Sequence, residues 1–121
     1  PMTRALGIIK KNGILALLSD QHGGSEGIDV PFFGIETKTV TGIAVFAYLT
    51  GAAILPVNVT RVAPFKLKLE IEEPLKWEKK ASRDDTIYDI TKKTNEALEL
   101  MVRRYPNQWL WQHRRFRELE K

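Results

Sequence analysis

The sequence contains no cysteine, which excludes disulfides, thiolate zinc sites and cysteine nucleophiles. Its two histidines, His22 and His113, stand apart from carboxylates at metal-ligand spacing, so no metal site is predicted. The sequence also lacks an apolar run that approaches the roughly 20 residues of a membrane-spanning helix. Neither a phosphate-binding loop nor a dinucleotide glycine motif is present, because Gly23, Gly24 and Gly27 lack a helix start after them.

The excess of positive charge is small, with 19 Lys and Arg against 15 Asp and Glu and a net charge of +4. The basic residues are dispersed among acidic ones and form no recognition motif, so we expect no nucleic acid partner. The charge fits an anionic substrate, an acidic carrier protein or an anionic membrane surface. A length of 121 residues with 43% hydrophobic composition predicts one compact domain with its own core.

Hydrophobic periodicity predicts alternating helices and strands, and therefore an α/β or α+β layer. In chain order the predicted elements are a helix over 3–12 closed by Asn12-Gly13, a buried strand over 14–18, an irregular strand over 28–33, a buried helix over 41–49, a strand over 53–59, an edge strand over 65–71, and a helix that starts in a Thr86-x-x-Asp89 capping box and stops at Tyr105-Pro106. The continuous apolar run 14–18 is typical of a strand in a parallel sheet. Ligands of such sheets bind beyond the carboxyl ends of the strands, where Asp20 and Gln21 fall.

The segment 108–116 concentrates tryptophan, histidine, arginine and phenylalanine. Arginine offers planar, bidentate recognition of phosphate or carboxylate, and tryptophan suits a wet boundary. The pattern therefore indicates either a site for an anionic, partly apolar ligand or a hydrophobic anchor with solvated arginines beside it. We expect Trp109, Trp111 and Phe116 to pack this segment onto the sheet.

Ordered blocks along the chain resemble the bacterial lipid A biosynthesis acyltransferases, the lauroyl and myristoyl transferases of the lysophospholipid acyltransferase superfamily. The matching blocks are Leu18-Ser19-Asp20-Gln21, Val30-Pro31-Phe32-Phe33-Gly34, Thr39-x-Thr41-Gly42, Thr50-Gly51-Ala52, Leu55-Pro56-Val57 with Arg61, Glu73-Pro74-Leu75, Thr94-Asn95 with Glu99, and Pro106-x-Gln108-Trp109-Leu110-Trp111-x-His113-Arg114-Arg115-Phe116. Each block alone is weak, but their order and spacing are specific.

The resemblance implies an α/β fold with a mixed, largely parallel sheet flanked by helices, as in the C-terminal half of a glycerolipid-acyltransferase-like fold. The family moves a fatty acyl chain from acyl-carrier protein, or in relatives from acyl-CoA, to a hydroxyl of a membrane glycolipid, with no metal or organic cofactor. Its catalytic His-x4-Asp/Glu motif lies upstream of the blocks matched here. We therefore expect residues 1–121 to be the C-terminal part of one acyltransferase domain. The fragment itself would be soluble and inactive alone, and the full-length protein would work at the cytoplasmic face of the bacterial inner membrane.

Carried over residue by residue, the resemblance implies catalytic support from Asp20 and Glu36, either of which could also be an ordinary surface or turn carboxylate. Substrate contacts are implied for Gln21, Arg61, His113, Arg114 and Arg115. The arginines would hold phosphate groups or, in the C-terminal segment, dock on anionic lipid, where each contributes on the order of 1 kcal/mol.

Neither histidine is the predicted base. His22 is followed by Gly27 at the fifth position, so it does not fit the signature, and a histidine in a glycine-rich loop is expected to be exposed. His113 and Glu118 match His-x4-Glu literally. They belong to a different block of the family, however, and an i,i+5 pair does not face squarely on a helix.

A second hypothesis is a non-catalytic module that binds anionic lipid or an acidic partner through the basic, aromatic C-terminal segment. Under either hypothesis, half of a sheet would leave an open edge and an apolar face, across which a dimer of the fragment could form.

Overall fold

The computed structural model describes residues 2–109 and 114–120. The elements are α1 (Met2–Lys10), β1 (Ile28–Phe32), β2 (Ile35–Thr39), α2 (Gly42–Thr50), β3 (Val57–Ala63), β4 (Lys66–Ile71) and α3 (Arg83–Arg104), with short 3-10 turns at Gly24–Glu26, Pro106–Gln108 and Arg117–Glu120. Of the helices in these ranges, none combines the length and apolar character needed to cross a membrane.

The helices follow the sequence pattern closely. As predicted, α2 ends at Gly51, whose φ of 72° is in the left-handed region and whose N–H donates to the carbonyl of Ala47 at 2.7 Å. The predicted capping box of α3 is wrong in position. Ser82 is the N-cap, and its hydroxyl accepts from the N–H of Asp85 at 3.0 Å. Thr86 lies inside the first turn, where its hydroxyl donates to the carbonyl of Ser82.

The described residues do not form the predicted parallel sheet. Strands β1 and β2 make one antiparallel hairpin, and β3 and β4 make another. The run 14–18 has no regular secondary structure and no ladder, and Ile14 and Leu18 are 93% and 88% exposed. A central parallel strand satisfies its backbone through neighbours on both sides. No described strand pairs with the run 14–18, so this run does not form a strand of a parallel sheet.

The core lies between α2 and α3. Ala44 and Ala47 of α2 are buried against Ile87 and Ile90 of α3, and Trp77 with other half-buried apolar side chains packs around them. Alanine at the contact allows the two helix axes to approach closely. Further along, α3 also packs on β1, so it is the element that carries both the core and the first hairpin.

The second hairpin is fastened to the C-terminal end of α3 by a network of hydrogen bonds centred on the carboxylate of Glu70. Glu70 on β4 is 17% exposed and accepts from Lys68, from the hydroxyl of Tyr105 at 2.6 Å and from Arg104 at 2.9 Å. These donors lower the pKa of Glu70 from 4.5 to about 2, chiefly through the hydrogen bond from Lys68. Arg104 also bonds Glu72 at 2.8 Å, which extends the network along the strand.

The network predicts a specific acid dependence of stability. The folded-state pKa of Glu70 lies below its unfolded value, so its contribution is complete above the unfolded pKa of about 4.5 and is lost as the pH falls towards 2. Urea denaturation between these pH values should show a steeper loss of unfolding free energy for the wild type than for Glu70→Gln. Glu73→Gln, an exposed neighbour, should keep the wild-type slope. Parallel curves for the wild type and Glu70→Gln would contradict this account.

Candidate functional site

The loop that follows the run 14–18 is held against β2. His22 pairs antiparallel with Thr39, and the N–H of Gly23 donates to the carbonyl of Lys38 at 2.8 Å. The imidazole of His22 is half-buried, in contrast to the exposed side chain predicted, and its Nδ1 accepts from the N–H of Gly24 at 3.0 Å. In the neutral ring this arrangement leaves the proton on Nε2.

Two glycines make this close approach possible. A Cβ on Gly23 would lie 2.7 Å from the carbonyl carbon of Thr39, and one on Gly27 would lie 2.9 Å from the oxygen of the same residue. Both distances are too short for a real side chain, because backbone atoms cannot move aside as a flexible side chain can. The glycines therefore keep the loop and β2 in contact and hold Asp20 and Gln21 at this end of the strand.

Asp20 is a half-buried carboxylate with an unusual environment. Its Oδ1 is shielded from solvent and receives no hydrogen bond from the described residues. A buried acceptor without a donor costs about 1–3 kcal/mol, so such an atom calls for an explanation. Gln21 beside it is exposed.

The two predicted carboxylates are not brought together. His22 pairs with Thr39, the last residue of β2, and Asp20 precedes this pair by two residues. Glu36 is the second residue of β2, which at about 3.3 Å per residue is roughly 10 Å along the strand from Thr39. Glu36 is exposed and lies across from Pro31 on β1. No contact among the described residues joins Asp20 to Glu36, so the structure does not show the two carboxylates as a pair.

Arg115 is buried rather than open to solvent, with 1% of its surface exposed. Its guanidinium donates to the hydroxyls of Thr37 at 3.2 Å and Thr39 at 3.0 Å and to the carbonyl of Lys38 at 3.1 Å. The same group lies over the ring of Phe32 with its central carbon 4.9 Å from the centroid. The side chain thus fastens the C-terminal segment to β2 by the planar fork that arginine provides.

The C-terminal segment is attached at further points. The side-chain amide of Gln108 accepts from the N–H of Arg61 at 2.8 Å and donates to its carbonyl at 3.1 Å. The rings of Trp109 and Phe116 lie 5.8 and 5.7 Å from that of Phe32, which confirms that these aromatics pack on the first hairpin. The segment therefore joins the two hairpins.

The remaining predicted substrate contacts are spread over the surface. Arg61 on β3 is exposed and lines a shallow depression with Asn107 and Gln108. Arg114 is exposed beside the buried Arg115. His113, like Trp111, lies outside the described residues. Within the described ranges, no three His, Asp or Glu side chains group as metal ligands would.

The sequence analysis assigned no role to two polar residues of α3 that bond to the first hairpin close to Arg115. Asn95 is 1% exposed and donates to the carbonyl of Pro31 at 3.1 Å and to the hydroxyl of Thr39 at 3.2 Å. Glu99 accepts from the N–H of Phe33 at 2.6 Å, in the turn of the first hairpin. The available signal was an asparagine on the otherwise apolar face of a helix, since a buried amide needs partners.

Comparison with known proteins identifies the family of this chain. Residues 2–118 match the family described as bacterial lipid A biosynthesis acyltransferase. The chain belongs to this family. The match spans the run 14–18, both hairpins, α3 and most of the C-terminal segment. It confirms the resemblance that the ordered blocks indicate.

Two curated relatives of the lipid A acyltransferase family are similar along most of the chain. They are the "Lipid A biosynthesis palmitoleoyltransferase" of Escherichia coli (strain K12) and the "Lipid A biosynthesis acyltransferase" of Shigella flexneri, each 31% identical over 115 residues, or 93% of this chain. The matched region is 36% of each relative, so the chain spans about a third of the length of these proteins.

Proposed function

We propose that residues 1–121 form the C-terminal part of one acyltransferase domain that moves a fatty acyl chain from acyl-carrier protein or acyl-CoA to a hydroxyl of a lipid A precursor or related glycolipid. The family match over residues 2–118 carries this proposal. The working place would be the cytoplasmic face of the bacterial inner membrane, where an acidic carrier protein meets a membrane glycolipid.

The proposed chemistry is direct transfer without a covalent enzyme intermediate. A His-x4-Asp/Glu pair from outside this chain takes the proton of the acceptor hydroxyl, and the oxygen attacks the thioester carbonyl carbon. The tetrahedral intermediate collapses with cleavage of the carbon–sulfur bond, and the leaving thiolate takes up the proton from the imidazole. The transfer needs an oriented base and an acyl donor held in position. The proposed role of this chain is to supply groups that orient the base and hold the donor.

Asp20 is the residue we assign closest to the reaction. Its Oδ1 is shielded from solvent and accepts no hydrogen bond from the described residues, so it is available to accept one from substrate or from the dyad. It would orient the acceptor hydroxyl or the imidazole of the dyad, with Gln21 contacting substrate beside it. Glu36, at the other end of β2, would support catalysis only from a separate position, through the substrate and not through Asp20.

An apolar groove next to Asp20 suits the fatty acyl chain. It has a volume of about 460 Å³. Residues of the run 14–18, of α2 and of α3 line it, including Leu17, Phe46, Ala97 and Leu98. Ligand pockets typically have roughly 300–1,000 Å³. Ser19, which precedes Asp20, also lines the groove, so an acyl chain lying there would bring its thioester end towards the carboxylate.

The arginines divide into two proposed roles. Arg61 and Arg114 are exposed and would bind phosphate of the glycolipid or of the carrier's prosthetic arm, with His113 assisting. Arg115 directs its fork at protein oxygen atoms, so we propose that it positions the first hairpin and reaches substrate only through that hairpin.

The test is acyl transfer by the full-length protein and by residues 1–121 alone. The full-length protein should convert a lipid A precursor to its acylated product with acyl-carrier protein or acyl-CoA as donor, measured by mass spectrometry. The 121-residue chain should show no turnover, since the predicted base is outside it. Robust turnover by this chain would place the base within it, and His113→Ala against His22→Ala would then identify it. Absence of turnover in the full-length protein would favour a lipid-binding module.

A further inference from the structure

Thr39 connects the loop 19–27 that contains Asp20, here called the Asp20 loop, to the interior of the protein. Its backbone pairs with His22 and lies so close to Gly23 that a side chain there would collide with it. Its own side chain is buried, with 1% of the residue exposed. A shift of Thr39 is therefore transmitted to the Asp20 loop, because the two backbones are in direct contact.

The hydroxyl of Thr39 uses all of its hydrogen-bonding positions. It donates to the carbonyl of Thr37 at 3.1 Å and accepts from the side-chain amide of Asn95 at 3.2 Å and from Arg115 at 3.0 Å. A hydroxyl offers one donor and two acceptor positions, so no position is left open. Because these bonds are buried, where a hydrogen bond is stronger than in water, they hold Thr39 in one place.

Asn95 bonds both strands of the first hairpin from the middle of α3. Its Nδ2 donates to the carbonyl of Pro31 on β1 at 3.1 Å and to the hydroxyl of Thr39 on β2. These bonds are made entirely within this chain, and Asn95 is 1% exposed. Asparagine is a weak helix former, and apolar groups of the same shape can replace a buried hydrogen-bonded pair at nearly equal stability. Stability alone therefore does not explain an amide at this position.

We propose that Asn95 and Thr39 are positioning residues for Asp20. The packing of α3 on α2 fixes Asn95, Asn95 fixes Thr39, and the backbone of Thr39 sets the Asp20 loop. The inference rests on the proposed function, in which Asp20 orients the acceptor hydroxyl or the imidazole of the dyad. Because both side chains are buried, their effect should reach the reaction through Asp20. It should appear in the rate of transfer and not in the binding of the acyl donor.

Thr39→Val is the sharpest test, because it keeps the shape of the side chain and removes the hydroxyl. Asn95 and Arg115 each keep another acceptor, the carbonyls of Pro31 and Lys38, so the variant should fold. Full-length Thr39→Val should turn over at least about tenfold more slowly than the wild type, with the KM of the acyl donor changed less than about twofold. Thr39→Ser, which keeps the hydroxyl, should restore the rate, and Asn95→Leu should resemble Thr39→Val.

A double-mutant cycle separates action through Asp20 from a general loss of structure. If Thr39 positions Asp20, combining Thr39→Val with Asp20→Asn should slow transfer no further than Asp20→Asn alone does. Thr91→Val is the matched control, since the buried hydroxyl of Thr91 donates within α3, to the carbonyl of Ile87. This control should leave the rate unchanged even if the melting temperature falls. Multiplying effects of Thr39→Val and Asp20→Asn, or an equal loss of rate in Thr91→Val, would overturn the proposal.

Hydrogen exchange gives a readout that does not need turnover. The N–H of Gly23 donates to the carbonyl of Lys38 at 2.8 Å, so its exchange reports the contact between the Asp20 loop and β2. Mass spectrometry of the loop peptide of the full-length protein should show exchange at least about tenfold faster in Thr39→Val and Asn95→Leu, and unchanged in Thr39→Ser. Wild-type exchange in all three variants would also contradict the proposal.

These outcomes keep the positioning role separate from the proposed function. Absence of turnover by the wild-type full-length protein overturns the acyltransferase assignment, and with it the role of Asp20. An active wild type whose rate is unchanged in both Thr39→Val and Asn95→Leu overturns only the positioning of Asp20 by these two residues.

Discussion

Replacing Arg115 with alanine is expected to lower the free energy of unfolding by about 3–5 kcal/mol. The substitution removes a buried side chain and one donor each from the hydroxyls of Thr37 and Thr39 and from the carbonyl of Lys38. Asn95 still donates to Thr39, and the N–H of Gly23 still donates to Lys38. It also removes the cation from the ring of Phe32. Because these groups belong to β1 and β2, the loss would free the C-terminal segment from the first hairpin. Urea denaturation followed by circular dichroism measures the effect.

The neighbouring Arg114 provides the matched control. It is exposed, so Arg114→Ala should change the free energy of unfolding by about 0.5 kcal/mol or less. Arg115→Met, which keeps an apolar stem of similar length, separates packing from hydrogen bonding and should cost less than alanine does. In a double-mutant cycle with Thr37→Val, the two changes should couple by about 1 kcal/mol. Equal effects of Arg114→Ala and Arg115→Ala would contradict the buried fork.

Asp20→Asn is expected to lower the turnover of the full-length protein by about 100-fold or more, without lowering its melting temperature. The Oδ1 of Asp20 receives no hydrogen bond from the described residues, so the amide gives up no described contact in the fold. What it loses is the negative charge and the acceptor that would orient the acceptor hydroxyl or the dyad imidazole. Steady-state rates with acyl donor and lipid A precursor, beside thermal unfolding, give both readouts.

A second aspartate controls for the loss of one charge. Asp29 on β1 is exposed and pairs with Lys38 at 3.0 Å, so Asp29→Asn should leave turnover unchanged and shift stability only slightly. If Asp20→Asn lowered the melting temperature in step with the activity, the carboxylate would be a structural group. If it changed neither, Asp20 would have no part in catalysis, and Glu36→Gln would become the next variant to test.

The local sequence pattern was sufficient to predict an element where that element is stabilised by its own residues. The periodicity of α3 and the Gly51 end of α2 each depend on contacts within a few positions. The cap of α3 was misplaced by four residues, since Ser82 and Thr86 both offer a hydroxyl one turn apart, and only the backbone at Ser82 is extended. The second strand of the first hairpin was not predicted, because its buried positions, Thr37 and Thr39, are polar and alternate with the charged Glu36 and Lys38.

Sheet type and side-chain burial depend on distant parts of the chain. The run 14–18 has the composition of a parallel strand, yet composition cannot supply the neighbouring strand on which a ladder depends. Arg115 was grouped with Arg114 as a substrate contact because both are arginines in one basic segment. Arg115 is buried because β2, nearly 80 positions away in sequence, brings the hydroxyls of Thr37 and Thr39 to its guanidinium.

The sequence by itself determined the family, through blocks whose order survives in any conformation, and the helices, through periodicity and end signals. Only the tertiary structure decided that Arg115 is buried and fastens the C-terminal segment, that a shielded oxygen of Asp20 receives no hydrogen bond from the described residues, and that the loop of Asp20 is held at the Thr39 end of β2. The physical reason is that desolvation and hydrogen-bond satisfaction are properties of a place in the fold. Identical side chains one residue apart can therefore have opposite roles.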